Sequence, residues 1–378
     1  MSARVTRKRA RAQDEEEDLP PAKREPDQEQ DDPEGAGAEA GNALEAADGQ
    51  AKNGQGWKED EEFWFEDGTV ILVARDVEFR VYKGVLAGLS SVFKALFADR
   101  GHAMRNIRMD EEQALLCPVV HVSESPEDLR HLLRACFSKR LGSLYEERDP
   151  SYHEVSAAIR LGDKYKITEL YSQSLAYLKR YFPSTFDSWI TLEDYDPPSW
   201  LAADGVGAVN LARMTAELSI LPSAFVACIC ATSTGPDDLG IGHGIAREDG
   251  SRERLSPEDL TVCLNGKTSL RTATITAVFR TFKPVVSPAC KTSSTCKRAI
   301  RDVLLNLGHN VEYLQGGNPF AGYEDFVESA DLDLCPACTT MVGERSLKER
   351  KGVWDRLPEL LGIDVPGWGE LPPQGDAK

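Results

Sequence analysis

The chain has no apolar run long enough to cross a membrane, no excess of positive charge and no aromatic residue before Trp57. Its longest apolar stretch, Leu221 to Ala231, is interrupted by Pro222 and falls well short of the ~20 residues that a spanning helix needs. The N-terminus is charged rather than signal-like, so the expectation is a protein without membrane contact. Of 44 basic and 62 acidic residues, 9 and 16 lie in residues 1–60, which leaves residues 61–378 with a net charge of −11. A body of that sign is poorly suited to phosphate backbones, so nucleic acid is not expected as its partner. The local cluster Lys291, Lys297, Arg298 and Arg301 reads as a solvated helix face.

Catalytic signatures are also missing. There is no H-E-x-x-H, G-x-S-x-G or P-loop, and none of the six histidines stands beside a nucleophile in a recognised motif. Gly240-x-Gly242-x-Gly244 has no preceding strand and no following Lys-Ser/Thr, so it reads as a flexible loop. The chain is therefore expected not to be an enzyme. Nine cysteines, an odd number with no secretory signal, point to a reducing compartment, the nucleus or the cytoplasm.

Residues 1–60 are read as a disordered charged tail. Before Trp57 the only large aliphatics are Val5, Leu19 and Leu44, too few to offset the entropy of ordering. Within it, Arg4, Arg7, Lys8, Arg9 and Arg11 precede the acidic run Asp14 to Asp18. Grouped Lys and Arg side chains of this kind serve as nuclear import signals, with a plain solvated tail as the alternative.

What is present is concentrated between Phe63 and Asp99. Thr69 to Val73 and Val77 to Tyr82 are two apolar-rich runs joined by a short turn, the pattern of a β-hairpin. Val85, Leu86, Leu89, Val92, Phe93, Leu96 and Phe97 then recur at helical spacing, interrupted between Gly88 and Ser91, which predicts two short helices. A strand follows at Val119 to Val122. Ser125-Pro126-Glu127-Asp128 predicts a capped helix, and Val155 to Tyr165 with Ile167 to Leu178 a helical pair.

This order and these residues resemble the BTB/POZ domain. The match rests on Asp67, on Phe79-Arg80-Val81-Tyr82-Lys83-Gly84-Val85-Leu86-Ala87, and on Ser90-Ser91-Val92-Phe93-Lys94-Ala95-Leu96-Phe97. Tyr82 stands where the family usually has His. The flanks, including the insert after Phe97, most resemble the BTB proteins of basidiomycete fungi. The resemblance implies a protein-interaction module, a scaffold or nuclear regulator with chromatin proteins as candidate partners. Its alternative is a substrate adaptor for a cullin-type ubiquitin ligase. Met109-Asp110-Glu111 fits the apolar-x-Glu pattern with which such adaptors meet a cullin; a solvated acidic loop is the competing reading. Self-association through a long leading helix is not expected, because Trp57 to Glu62 is short and acidic.

The whole is expected to be α+β and mostly helical: a tail over 1–60, a BTB/POZ domain over 61–182, a helical C-terminal domain over 183–368 and a flexible end over 369–378. In the second domain Ser256-Pro257-Glu258-Asp259 predicts another capped helix. Ile300, Val303, Leu304 and Leu307 form an amphipathic stripe that Gly308 is expected to stop, and Ser233 to Arg254 reads as a mobile loop. Cys335-Pro336-Ala337-Cys338 is a C-x-x-C knuckle, and Cys290 and Cys296 form a C-x5-C pair. Four thiolates would satisfy tetrahedral Zn²⁺, so structural zinc is one reading; buried core thiols are the other, since Cys packs as a small hydrophobe. On either reading the four are expected to converge, because the two pairs flank one helical hairpin.

Overall fold

The computed structural model describes residues 56–108, 114–138, 144–146, 148–192, 197–231, 240–309, 320, 322 and 334–369. The basic cluster Arg7 to Arg11 and the pair Met109 and Glu111 lie outside them. Among the described residues no helix is long and apolar enough to cross a membrane.

Five strands form one mixed sheet in the order β1-β3-β2-β5-β4: β1 Lys58–Trp64, β2 Val70–Ala74, β3 Val77–Val81, β4 Ala103–Arg108 and β5 Ala114–Val122. The expected hairpin is β2–β3, with Val70 opposite Val81 and Ala74 opposite Val77. Arg75 turns it with a left-handed φ of 52°. β2 also runs parallel to β5, and β1 parallel to β3. Strand β2 is buried along its whole length, under the helices on one face and among side chains of the neighbouring strands on the other, and this is why Val70 to Ala74 reads as a continuous apolar run. Val70, Leu72, Ala74, Phe79 and Val81 face the helices, while Ile71 and Val73 pack with Cys117 and Val119 on the other side.

The helical period seen after Tyr82 resolves into α1 Lys83–Leu89 and α2 Ser91–Ala98. Ser90 separates them. Its hydroxyl accepts the Phe93 amide, capping α2, and donates to the Tyr165 carbonyl. Leu86 and Phe93 are fully buried, whereas Val92 and Leu96 are partly buried against the same cluster. Helix α3, Pro126–Cys136, is capped by Ser125. Helix α4, Tyr152–Lys164, begins with a capping box between Ser151 and Glu154, and α5 spans Thr168–Tyr181.

α4 and α5 have two apolar faces. Ala158, Leu161, Tyr165, Ile167 and Leu170 belong to the core under the sheet. Tyr152, Val155, Ile159, Leu175, Leu178, Tyr181 and Phe182 belong to a second core built with the C-terminal helices. The boundary expected at residue 182 is thus bridged by continuous packing.

The C-terminal region is mostly helical: α6 Phe186–Ile190, α7 Gly205–Thr215, α8 Leu221–Ala231, α9 Pro257–Thr281, α10 Ser293–His309, α11 Pro336–Asp355 and α12 Leu357–Leu361. Gly207 of α7 lies against Tyr152 of α4, where an added Cβ would fall 2.1 Å from the tyrosine ring and hydroxyl. Only glycine permits that approach. Ser256 caps the 25-residue α9 as expected. Gly308 does not stop α10, which continues to His309; one glycine weakens a helix by only about 1 kcal/mol, and Val303 and Leu307 are buried beside it.

Residues 245–253 correct another expectation. The part of the anticipated loop that lies among the described residues contains a small hairpin, β6 Ile245–Ala246 and β7 Arg252–Glu253, fastened to the N-terminal half by charge. Arg247 meets both Asp128 carboxylate oxygens at 2.8 Å and Glu253 at 3.3 Å. Glu248 pairs with His131, Asp249 with Arg75, and the Tyr152 hydroxyl donates to Glu253 at 2.8 Å. Short polar segments look like loops in a sequence because their partners are remote.

The Ser251 hydroxyl and amide, with the Arg75 guanidinium, hold the Asp249 carboxyl below the usual carboxylate range. A carboxylate depressed in the folded state adds stability that is present above its unfolded pKa, about 4, and is lost as pH falls further. Asp249→Asn is therefore expected to lower the melting temperature at pH 7, with the gap to the parent shrinking below about pH 4. A gap that stays constant from pH 7 to pH 3 would refute this.

Candidate metal centre

Four cysteines meet at the start of two helices. Cys290 lies in a turn closed by its amide to the Ser287 carbonyl, and Cys296 sits in the first turn of α10. Cys335 is the residue before α11, with Pro336 at the first helical position, and Cys338 follows one turn in. Proline suits that place because its fixed φ is helical and the N–H it lacks would have no partner there. The C-x-x-C spacing then lets a single turn present two sulfurs to one point.

The sulfurs of Cys290, Cys296, Cys335 and Cys338 all lie within 4.8 Å of one another. The Cys290 and Cys335 sulfurs are 3.7 Å apart, while a regular tetrahedron with metal–sulfur bonds of ~2.3 Å has edges of about 3.8 Å. At its widest the set exceeds that edge by about 1 Å, and its donor chemistry is that of a soft or borderline divalent ion. The two pairs converge as expected, but not through the closure of a helical hairpin: Cys296 and Cys335 both stand at helix starts, so α10 and α11 leave the cluster from the same end.

The surroundings favour thiolate at Cys296 and oppose it at Cys338. The Cys335 amide donates to the Cys296 sulfur at 3.4 Å, and the Ser287 amide to the Cys338 sulfur at 3.5 Å. Contact with the Thr292 hydroxyl and then the Cys335 amide draws the Cys296 thiol down to about 7. Burial pushes the Cys338 thiol up to about 12. Both helices point their N-termini at the cluster, where the macrodipole favours negative charge. Thr292 and Ser287 were not singled out in the sequence; Thr292, four residues before Cys296, was the available signal.

The other singled-out residues are dispersed. Lys291, Lys297, Arg298 and Arg301 are all exposed, in keeping with a solvated helix face. Cys228 is buried in the C-terminal core and Cys230 half-buried beside it. His121 meets the Trp57 ring edge-on, and His131 is engaged by Glu248. Tyr82 fills the position expected for His by donating its hydroxyl to Asp67 and stacking on Phe65; that bond raises its pKa above the ordinary tyrosine value.

Comparison with known families agrees with the fold. Residues 65–181 match the BTB/POZ domain family, so the sheet β2–β5 with helices α1 to α5 is a BTB/POZ domain, followed by a mostly helical C-terminal region. BTB/POZ domains are in general protein–protein interaction modules rather than enzymes. No curated protein matches the chain.

Proposed function

We propose that this chain is a non-enzymatic interaction scaffold, a regulator that works in the nucleus or cytoplasm by holding other proteins, with one structural Zn²⁺ on Cys290, Cys296, Cys335 and Cys338. The observation that carries the interaction role is the BTB/POZ match on a complete sheet and helix set. The zinc reading is supported by four sulfurs at near-tetrahedral separation. When bound, the ion would clip α10 to α11; the backbone amides of Ser287 and Cys335 orient two of the thiolates. As part of this reading we keep the likeness of the flanks to basidiomycete BTB proteins, which rests on the insert after Phe97.

Affinity capture of the tagged full chain from a cell extract, followed by mass spectrometry, tests the role. Specific protein partners are expected, and recovery of none beyond a tag-only control would overturn it. Chromatin proteins favour the regulator. Cullin peptides that disappear when Met109 and Glu111 are both changed to Ala favour the ubiquitin-ligase adaptor instead. We further propose that Arg7, Lys8, Arg9 and Arg11 direct nuclear entry. A fluorescent fusion with all four changed to Ala is expected to lose nuclear accumulation, and unchanged accumulation would remove the proposal.

A further inference from the structure

The four cysteines are not equivalent. Cys296 and Cys338 are fully buried, whereas Cys290 and Cys335 are partly exposed. Each buried sulfur receives a backbone N–H, from Cys335 and from Ser287 respectively. All four sulfurs lie within 4.8 Å of one another, and the two exposed ones are 3.7 Å apart. Elsewhere Cys117, Cys136, Cys228 and Cys263 are buried, and the half-buried Cys230 lies outside the cluster. Thiol oxidation requires both access and a second sulfur within reach, and the described geometry supplies both at Cys290 and Cys335.

We infer that the cluster is an oxidation site of fixed pairing, in which a hydroperoxide joins Cys290 to Cys335 and leaves Cys296 and Cys338 as thiols. One outer thiolate attacks the peroxide O–O bond, becoming a sulfenic acid as the alcohol or water leaves. The other thiolate then displaces that oxygen, which departs as water after taking up a proton. Two thiolates, one hydroperoxide and two protons thus give one disulfide, one alcohol (water when the oxidant is hydrogen peroxide) and one water. The two electrons come from the sulfurs. The bond would link residues 45 apart in sequence and keep the start of α10 tied to α11 while removing two of the four metal ligands. Loss of the ion on oxidation rests on the zinc reading above; the pairing does not.

The test uses the reduced full chain, assayed for zinc, titrated with hydrogen peroxide and quenched with an alkylating agent at acid pH. Peptide mapping should find Cys290–Cys335 as the first disulfide, with Cys296 and Cys338 alkylated. In zinc-loaded protein, one equivalent of metal should appear on a chelating dye at the same rate. A first disulfide that contains Cys296 or Cys338, or none while other thiols oxidise, overturns the inference and leaves the zinc reading standing. Formation of Cys290–Cys335 in protein that never held zinc supports the pairing and overturns the metal. Cys290→Ser separates the steps: its Cys335 should be trapped as a sulfenic acid by a dimedone probe. If the variant instead forms a disulfide as readily as the parent, the pairing is not fixed.

Discussion

Protein stripped of metal with a strong chelator is expected to melt roughly 5 °C below the zinc-loaded form. In isolated zinc fingers the ion supplies about 10–16 kcal/mol of apparent binding energy, nearly all of it folding energy. The effect here should be smaller, because the main C-terminal core is built from α4 to α9 and α12, with α11 adding only Val353 and Trp354 at the end far from its cysteines. What depends on the metal is the satellite core of Val278, Phe282, Ile300, Val303, Leu307 and Val342, whose elements α10 and α11 the cysteines join. A loss of about 3–5 kcal/mol is the reasonable scale, and at ~2 cal/mol/K of unfolding entropy per residue each kcal/mol moves the midpoint of a chain this long by about 1–2 °C. Purified protein should carry one equivalent of zinc, and added protons should compete with it, since all four sulfurs bind as thiolates. Calorimetry with and without chelator checks this; identical midpoints would mean that the thiols are ordinary core residues.

Truncating Phe93 to Ala is expected to cost about 3–5 kcal/mol. The side chain is fully buried, stacks on Tyr165 with ring centroids 4.1 Å apart and on Phe97 at 5.6 Å, and its amide is held by Ser90. The cavity would open where α2 meets the end of α4, at the centre of the BTB/POZ core, so little relaxation is available. Phe93→Leu should recover most of the loss because it refills much of the volume. Denaturant unfolding decides the matter, and an Ala variant with the parent midpoint would show that the helix face was assigned wrongly.

Sequence and structure agree most where a feature is local. The β2–β3 hairpin, the break between α1 and α2, and the caps at Ser125 and Ser256 each follow from short-range rules of period and hydrogen bonding. Strand β1 was not legible, because KEDEEFW lacks the alternation of a half-buried strand; it is an edge strand with a register shift between Glu59 and Trp64. The 245–253 hairpin was hidden for a different reason. Its short-range neighbours say loop, and its order comes from Asp128, His131, Arg75 and Tyr152, over 90 residues away in sequence, together with Asn210. The cysteine cluster was half legible: C-x-x-C is local, but bringing it to Cys290 and Cys296 required the path of two helices.

The double-faced helices α4 and α5 bear on how the chain can be divided in the laboratory. A fragment ending after Phe182, which the domain match alone would suggest, would present Tyr152, Val155, Ile159, Leu175, Leu178, Tyr181 and Phe182 to water as one sticky surface. Such a piece would self-associate or precipitate, and any dimer recorded from it would report the cut rather than the protein. Binding work on this BTB/POZ domain calls for the chain from Gly56 through the last helix, or for a redesigned outer face on those two helices.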